Sequence, residues 1–388
     1  MKSLNWKLCS LALAAGMSFF TSCSDDNNGT GGENGNGIEN GATLKGTITS
    51  DVTLKAGNSY KLSGEYIVEN GATLIIEEGV TITAIGDDDI VDYILVKQGG
   101  KINAVGTADK PIVMTSDLKE PGAWGGIHIC GKAQTNVGSG VSEIGDAAYG
   151  GNDDADNSGT LRYVRVEYSG YAFNPEKEAN GITFYGVGNG TTVDHCEAYK
   201  GSDDGFEFFG GTVNISNMVV VSCSDDSYDW TEGWRGTGTN LVAYQEPKAT
   251  LGYDCDCLIE ADNYENDFTA TPIAHPTLKN LIFVGNGSTE NKRGIRLRRG
   301  TQVTIDGAKV CGKGNAVTLE SEETENALLA GTSKLKNMTV DSKLKSEKGI
   351  YTHEAFVAAG NTVDTSLAYD SFEAIKAECD WMSGNWVK

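Results

Sequence analysis

The sequence predicts an all-β solenoid of stacked parallel strands, closed at its C-terminal end by a short helical cap. The first observation behind this is a recurring phrase: Gly126-Ile-His-Ile-Cys-Gly131, Gly181-Ile-Thr-Phe-Tyr-Gly186 and Gly205-Phe-Glu-Phe-Phe-Gly210. Later copies read Ser227-Tyr-Asp-Trp-Thr231, Leu258-Ile-Glu-Ala-Asp262, Gly294-Ile-Arg-Leu-Arg298 and Ala316-Val-Thr-Leu-Glu320. Each has the period-two alternation of a short strand. The second observation is another phrase that precedes many of these copies, as in Leu161-Arg-Tyr-Val-Arg-Val166, Val193-Asp-His-Cys-Glu-Ala198 and Leu335-Lys-Asn-Met-Thr-Val340. Aligning it gives the third, a uniformly apolar column of Val164, Cys196, Met218, Leu241, Leu281, Ala308 and Met338, spaced by 22 to 40 residues. Irregular spacing with a fixed strand means stacked coils carrying loops of different length.

The elements follow in chain order. Residues 1–22 read as a processing signal, with Lys2 and Lys7 ahead of an apolar run at 8–20. The run ends Phe20-Thr-Ser-Cys23, which resembles a bacterial lipoprotein cleavage site and makes Cys23 the expected lipidation site. Residues 23–42 are rich in Gly, Asn and acids, as a flexible tether is. Residues 43–340 carry the coils. Within them, Ala72-Thr-Leu-Ile-Ile-Glu-Glu-Gly-Val-Thr-Ile82 is a strand–turn–strand unit. The column before the apolar one reads Tyr163, His195, Asn217, Asn240, Asn280, Gly307, Asn337, residues suited to a bend with positive φ. This places Cys196 in the core and His195 at a bend, and so removes an apparent nucleophile pair. Residues 341–388 form the cap. A helix is expected over roughly 366–380, starting at Asp370-Ser-Phe-Glu373, with Trp381 and Trp386 covering the last coil.

The 388 residues include 50 glycines and carry a net charge of −23. That charge disfavours nucleic acid and anionic membrane surfaces as partners, and favours cations or neutral and cationic ligands. Seven cysteines lie beyond Cys23, an odd number that cannot all pair, in a spacing that fits no zinc pattern.

Several segments resemble right-handed parallel β-helix surface lipoproteins of Bacteroidota. They are residues 72–82, Lys110-Pro-Ile-Val-Met-Thr-Ser116, Trp124-Gly-Gly-Ile127, Asn157-Ser-Gly-Thr-Leu161 and Gly201-Ser-Asp-Asp-Gly205. The resemblance implies a right-handed single-stranded parallel β-helix. It also implies a lipid-anchored, cell-surface location in the outer membrane, with a TonB-dependent outer-membrane transporter as partner.

Alternation puts His128, Thr183, Glu207, Asp229, Glu260, Arg296 and Thr318 on the outward side of the recurring strand, beside Cys130, Tyr185, Phe209, Thr231, Asp262, Arg298 and Glu320. This strip is either a solvated face or a ligand surface, with Glu207, Phe209, Asp229, Glu260, Asp262, Arg296 and Arg298 as ligand-binding candidates. Two acid pairs, Asp203-Asp204 and Asp225-Asp226, lie one short coil apart. Stacked, they either recruit a hard cation such as calcium or bond turn amides. Asp154-x-Asp156-x-Ser158-Gly159 begins like a calcium loop, but Arg165 stands where the bidentate glutamate belongs. Asp87-Asp88-Asp89 reads as a loop tip.

The reading is a surface-exposed, non-catalytic protein that binds an extended or metal-containing ligand, a glycan above all, for nutrient capture or adhesion. Phe209, Trp230 and Trp234 are candidate sugar-stacking residues. The alternative is a calcium-dependent polysaccharide lyase or a glycoside hydrolase, with Arg296, Arg298 and Asp204 as its catalytic candidates and Arg235 and Arg299 as further cations. No Ser/His/Asp arrangement, phosphate loop or dinucleotide fingerprint occurs.

Overall fold

The computed structural model describes residues 37–86, 90–174 and 177–388. The expected signal, Cys23, residues 23–36 of the tether and Asp87-Asp88-Asp89 lie outside the described residues.

Among these, 25 strands are linked by parallel pairing into a right-handed β-helix. Its coils have three faces. The first is built from the opening phrase, in strands such as Ile127–Cys130, Ile182–Tyr185, Phe206–Phe209 and Tyr228–Thr231. The other two are the halves of longer bent strands, including Gly159–Glu167, Thr192–Tyr199 and Asn214–Val221. The N-terminal half of Gly159–Glu167 pairs with Lys101–Val105 and its C-terminal half with Ile112–Ser116, so one strand serves two faces.

The bend is where the sequence placed it. Tyr163, His195, Asn217, Asn240, Asn280, Gly307 and Asn337 all have positive φ, between 50° and 87°. The asparagines also ladder between coils: Asn240 Nδ2 donates to Asn217 Oδ1 at 2.8 Å and Asn280 Nδ2 to Asn240 Oδ1 at 3.2 Å. Asn240→Val is therefore expected to lose about 1–2 kcal/mol to left-handed strain, whereas Asn240→Gly escapes that strain; urea unfolding of both variants checks the order.

The apolar column from Val164 to Met338 pairs in register through all seven strands. Its side chains are buried in one continuous core, with Cys196 at 0% exposure. All seven described cysteines are buried free thiols. Trp230 and Trp234 belong to the same core, their indole nitrogens donating to Thr301 Oγ1 and the Val213 carbonyl. Neither is available to stack on a sugar.

Both ends differ from expectation. Strand pairing is already present ahead of residue 43: Gly37–Ile38 pairs with Thr53–Leu54, and Ile38 packs on the core. At the other end the helix Phe372–Lys376 forms, N-capped by Ser371. Trp386, however, does not cover the last coil. Phe356, in the helix His353–Ala358, closes the core there. The chain then runs back along the outside of the third face. Trp386 shares a buried cluster with Val219, Val242, Val284 and Met382, and its ring lies edge-on to His195 at 5.2 Å. Asn385 N donates to the Ala108 carbonyl and Lys388 N to Glu197 Oε2, tying this strap to early coils. The cause is apolar: valines at 219, 221, 242 and 284 make the outer side of that face hydrophobic and in need of cover. Trp386→Ala is expected to destabilise by about 3–5 kcal/mol, read as a lowered urea midpoint.

Candidate functional site

The outward column of the first face is in register as expected: His128, Thr183, Glu207, Asp229, Glu260, Arg296 and Thr318 lie side by side. It is not a flat wet face. His128, Thr183 and Thr318 are at most 1% exposed, and Cys130 and Tyr185 are equally buried. The insertion at 131–151 folds over Cys130 and Tyr185. Its short hairpin, Gly140–Val141 with Ala148–Tyr149, sets Tyr149 against Tyr185 at 5.1 Å and Phe209 at 6.4 Å. Phe209 stacks on Tyr185 at 4.7 Å, so it helps seat this cover instead of presenting a ring to a ligand.

Where the cover ends, a cavity of about 200 Å³ opens, lined by Glu143, Glu178, Asn180, Asp203, Asp204, Glu207, Asp225 and Asp229. Two short coils build its floor. Glu207 and Asp229 are cross-strand partners, and the acid pairs sit in the turns just before their strands. Those turns are joined by a ladder from coil to coil. Asn180 Oδ1 accepts from Asp204 N at 3.2 Å, Asp204 Oδ1 from Asp226 N at 2.9 Å, and Asp226 Oδ1 from Cys257 N at 2.6 Å. Turn bonding is thus real for Asp204 and Asp226. It occupies one oxygen of each, and it places Asp226 behind the cup. Asp226→Ala is expected to cost about 1–3 kcal/mol by orphaning the buried Cys257 amide, while Asp226→Asn keeps the acceptor; urea unfolding separates the two.

Acids dominate the electrostatics. Among the described residues no lysine or arginine lines the cavity. Burial, and then Asp225 and Glu178, push Asp203 up to about 8. Burial, and then Asp256 and Glu260, bring Asp225 to about 6. Glu143 rises to about 7 through burial and Glu232. Asp204, Glu207 and Asp229 lie well above the usual carboxylate range for the same reasons, burial first and neighbouring acids second. Carboxylate oxygens of Asp204, Glu207 and Asp229 approach within 4.8 Å of one another, as do those of Glu178, Asp203 and Asp225. Such a set shares protons or surrounds a positive charge. Its donors are all hard oxygens, the chemistry that suits calcium.

The arginines do not reach this cup. Arg296 bridges Glu260 and Glu320, with Nη2 3.0 Å from Glu320 Oε2. Arg298 pairs with Glu260 and, at 2.7 Å, with Asp262; Arg299 also pairs with Asp262. Arg235 is held by both oxygens of Asp154, which dissolves the calcium-loop reading of that segment. Glu260, Asp262, Arg296 and Arg298 therefore form an ion-pair ladder beside the cup.

A family model described as a pectate-lyase like beta helix domain matches residues 46–388. The chain belongs to that family. No curated protein and no solved structure matches it at a significant level. In this pectate-lyase-like chain the sequence had pointed to five of the seven lining acids. Glu143 and Glu178 come from insertions that share no column with the coils. Asn180 was findable, because it stands one residue before Gly181 just as Asp204 stands before Gly205.

Proposed function

We propose that the protein is a non-catalytic binding protein that captures an extended glycan at the acidic cup, with a cation neutralising the carboxylates. The observation carrying this reading is the stacking of Asp203, Asp204 and Glu207 against Asp225 and Asp229 with no basic residue among the lining. Calcium is the candidate ion, and Asp203, Asp204, Asp225, Glu207 and Asp229 would hold it. The N-terminal sequence supports anchoring through Cys23 at the outer-membrane surface; the resemblance to β-helix surface lipoproteins adds a nutrient-capture or adhesion role with a TonB-dependent transporter as the partner there.

The test is calorimetric titration of the protein with calcium chloride, alone and with glycan panels. Calcium binding that is lost in Asp203→Asn/Asp225→Asn is expected. No heat with calcium, and none with any saccharide, retires the proposal. Asparagine is chosen because it removes charge at two residues outside the turn ladder.

Membership in the pectate-lyase-like family favours a second reading, a calcium-dependent polysaccharide lyase. Proton abstraction then needs a base beside the cup. Arg296 is a poor one: burial lowers its proton affinity, but the hydrogen bonds it donates to Glu320 and attraction to Glu260 outweigh that and hold it protonated. Incubation with uronate polysaccharides and calcium is expected to give no absorbance from unsaturated product. Its appearance would favour the lyase.

A further inference from the structure

A second cavity, of about 640 Å³, opens where the later coils turn into the first face. Its charged lining is Lys292, Lys313, Lys345 and a single acid, Asp341. Acids outnumber lysines and arginines 54 to 31 in this chain, so three lysines to one acid reverse its charge locally. Lys292 stands just before the strand Arg293–Leu297, and Lys313 in the turn before the strand Asn315–Leu319. The equivalent turns of earlier coils carry Asp203-Asp204 and Asp225-Asp226, so this corner changes sign along the axis. Lys345 pairs with Thr318 and extends the outward column by one coil. Loop and turn are joined by bonds from Gly287 N to the Gly312 carbonyl and from Asn315 N to the Lys292 carbonyl, both at 2.8 Å.

The lysines lack counter-ions. Lys313 is 3% exposed, and its Nζ donates to the Cys255 carbonyl at 2.9 Å and the Asn291 carbonyl at 3.2 Å. A Cβ at Gly285 would stand 2.5 Å from Lys313 Cγ, so glycine there leaves room for the stem. Among the described residues Lys313 makes no ion pair, and Asp254 and Asp256 act on it only from farther away. Lys292 makes none either, and Lys345 has the exposed Glu347 at 3.2 Å. The other acids nearby are engaged: Asp341 Oδ2 accepts from Gly312 N at 2.7 Å, Asp254 from Asn286 and Ser288, and Glu290 pairs with Lys248. A buried ammonium among neutral carbonyls is costly, and an anion in the cavity would offset that cost. Three ammonium groups and one carboxylate leave a charge of +2. That matches a phosphate monoester, about −2 at pH 7, better than a carboxylate or sulfate ester at about −1. Lysine acts as a point charge suited to a phosphate, and among the described residues no planar arginine fork lines this cavity. The uncharged lining is Gly, Ser, Thr and Asn, so the body attached to the phosphate is polar. The volume is that of a small-molecule site, not of a bare ion. We infer that this cavity binds a phosphorylated sugar, its phosphate against Lys292 and Lys345, with Lys313 adding charge from the buried side. The site shares no lining residue with the cup and does not rest on the function proposed for it.

The test is calorimetry of the protein in low-salt buffer with a chelator, so that no cation in the cup can hold a phosphate. The titrants are glucose 6-phosphate, glucose 6-sulfate, glucuronate, glucose and inorganic phosphate. Glucose 6-phosphate is expected to bind at least about fivefold tighter than each of the others. Lys292→Ala, an exposed position, should weaken it about threefold to fivefold without changing the melting temperature, and Lys292→Arg should keep most of the affinity. Lys345→Ala should weaken it similarly, and Asp203→Asn/Asp225→Asn should leave it unchanged. Equal binding of the sulfate ester, of glucuronate or of inorganic phosphate overturns the inference, and so does unchanged binding in Lys292→Ala/Lys345→Ala. Absence of heat with glucose 6-phosphate retires it and leaves the reading of the cup untouched, while loss of calcium binding at the cup leaves this site standing.

Discussion

In the presence of a chelator the protein is expected to be most stable at about pH 4 and to lose stability steadily towards pH 8. The sign follows from the cup. Asp203 and Asp225 have folded values of about 8 and about 6, above the ordinary aspartate value of 3.8, chiefly because of burial. Between the unfolded and folded values the native state holds more protons than the unfolded chain. Unfolding free energy therefore falls as pH rises through that window. For Asp225 alone the loss is fully expressed only above about pH 6. Glu143, at about 7, acts in the same direction. Below pH 4 other groups take over: Asp194, lowered to about 2 by bonds from His195, Asn217 and Ser216 that outweigh its burial, protonates and releases its partners. Saturating calcium should flatten the alkaline limb, since a bound cation replaces the protons. At a hundred times its dissociation constant it would add about 2.7 kcal/mol. Urea unfolding across pH 2–9, in chelator and in calcium, measures both limbs. A chelator profile that rises towards pH 8 would sink the account of the cup as proton-sharing carboxylates.

The coils were legible in the sequence because a solenoid repeats its pattern in register. A column such as Val164 to Met338 can be read without knowing where any loop goes. The bend was legible for a similar reason: asparagine at one recurring position reports positive φ. What could not be read lies in the insertions. Residues 131–151 cover the strip expected to be wet, because Tyr149 and Ile144 bury against Tyr185 and Leu95. Nothing in a strand's alternation says whether its outer side meets water or a loop. The arginines misled for a related reason. Arg296 and Arg298 sit on the expected strip, but Glu320 and Asp262, their partners, stand in the column of Arg298 itself, and pairwise geometry decides between free cation and ion pair. The strap was missed because its helix was judged by position along the chain. The outward valines of the third face, 219, 221, 242 and 284, were the available sign that something must lie over them.

Replacing Arg296 by alanine is expected to lower stability by about 3–5 kcal/mol, because it leaves two largely buried carboxylates without the charge between them. Arg296 side-chain exposure is 16%, and its partners Glu260 and Glu320 stand at 11% and 15%. Glu260 keeps Arg298, and Glu320 keeps Arg293 at 3.4 Å, so the loss should fall short of complete unfolding. The size of the effect also determines how activity data on this residue must be read. If the protein were a lyase, loss of product in Arg296→Ala would not identify a base, since collapse of the ladder would remove product as well. Arg296→Lys separates the roles. Lysine keeps the charge and loses the planar fork, so stability should fall by less than in alanine. A lysine base, with a lower proton affinity, would shift the pH profile of any lyase activity downwards. A structural Arg296 predicts instead that the triple variant Arg296→Met/Glu260→Gln/Glu320→Gln, which removes the charges together, is more stable than Arg296→Ala alone. If the triple variant is no better than the single one, the ladder is not what Arg296 serves.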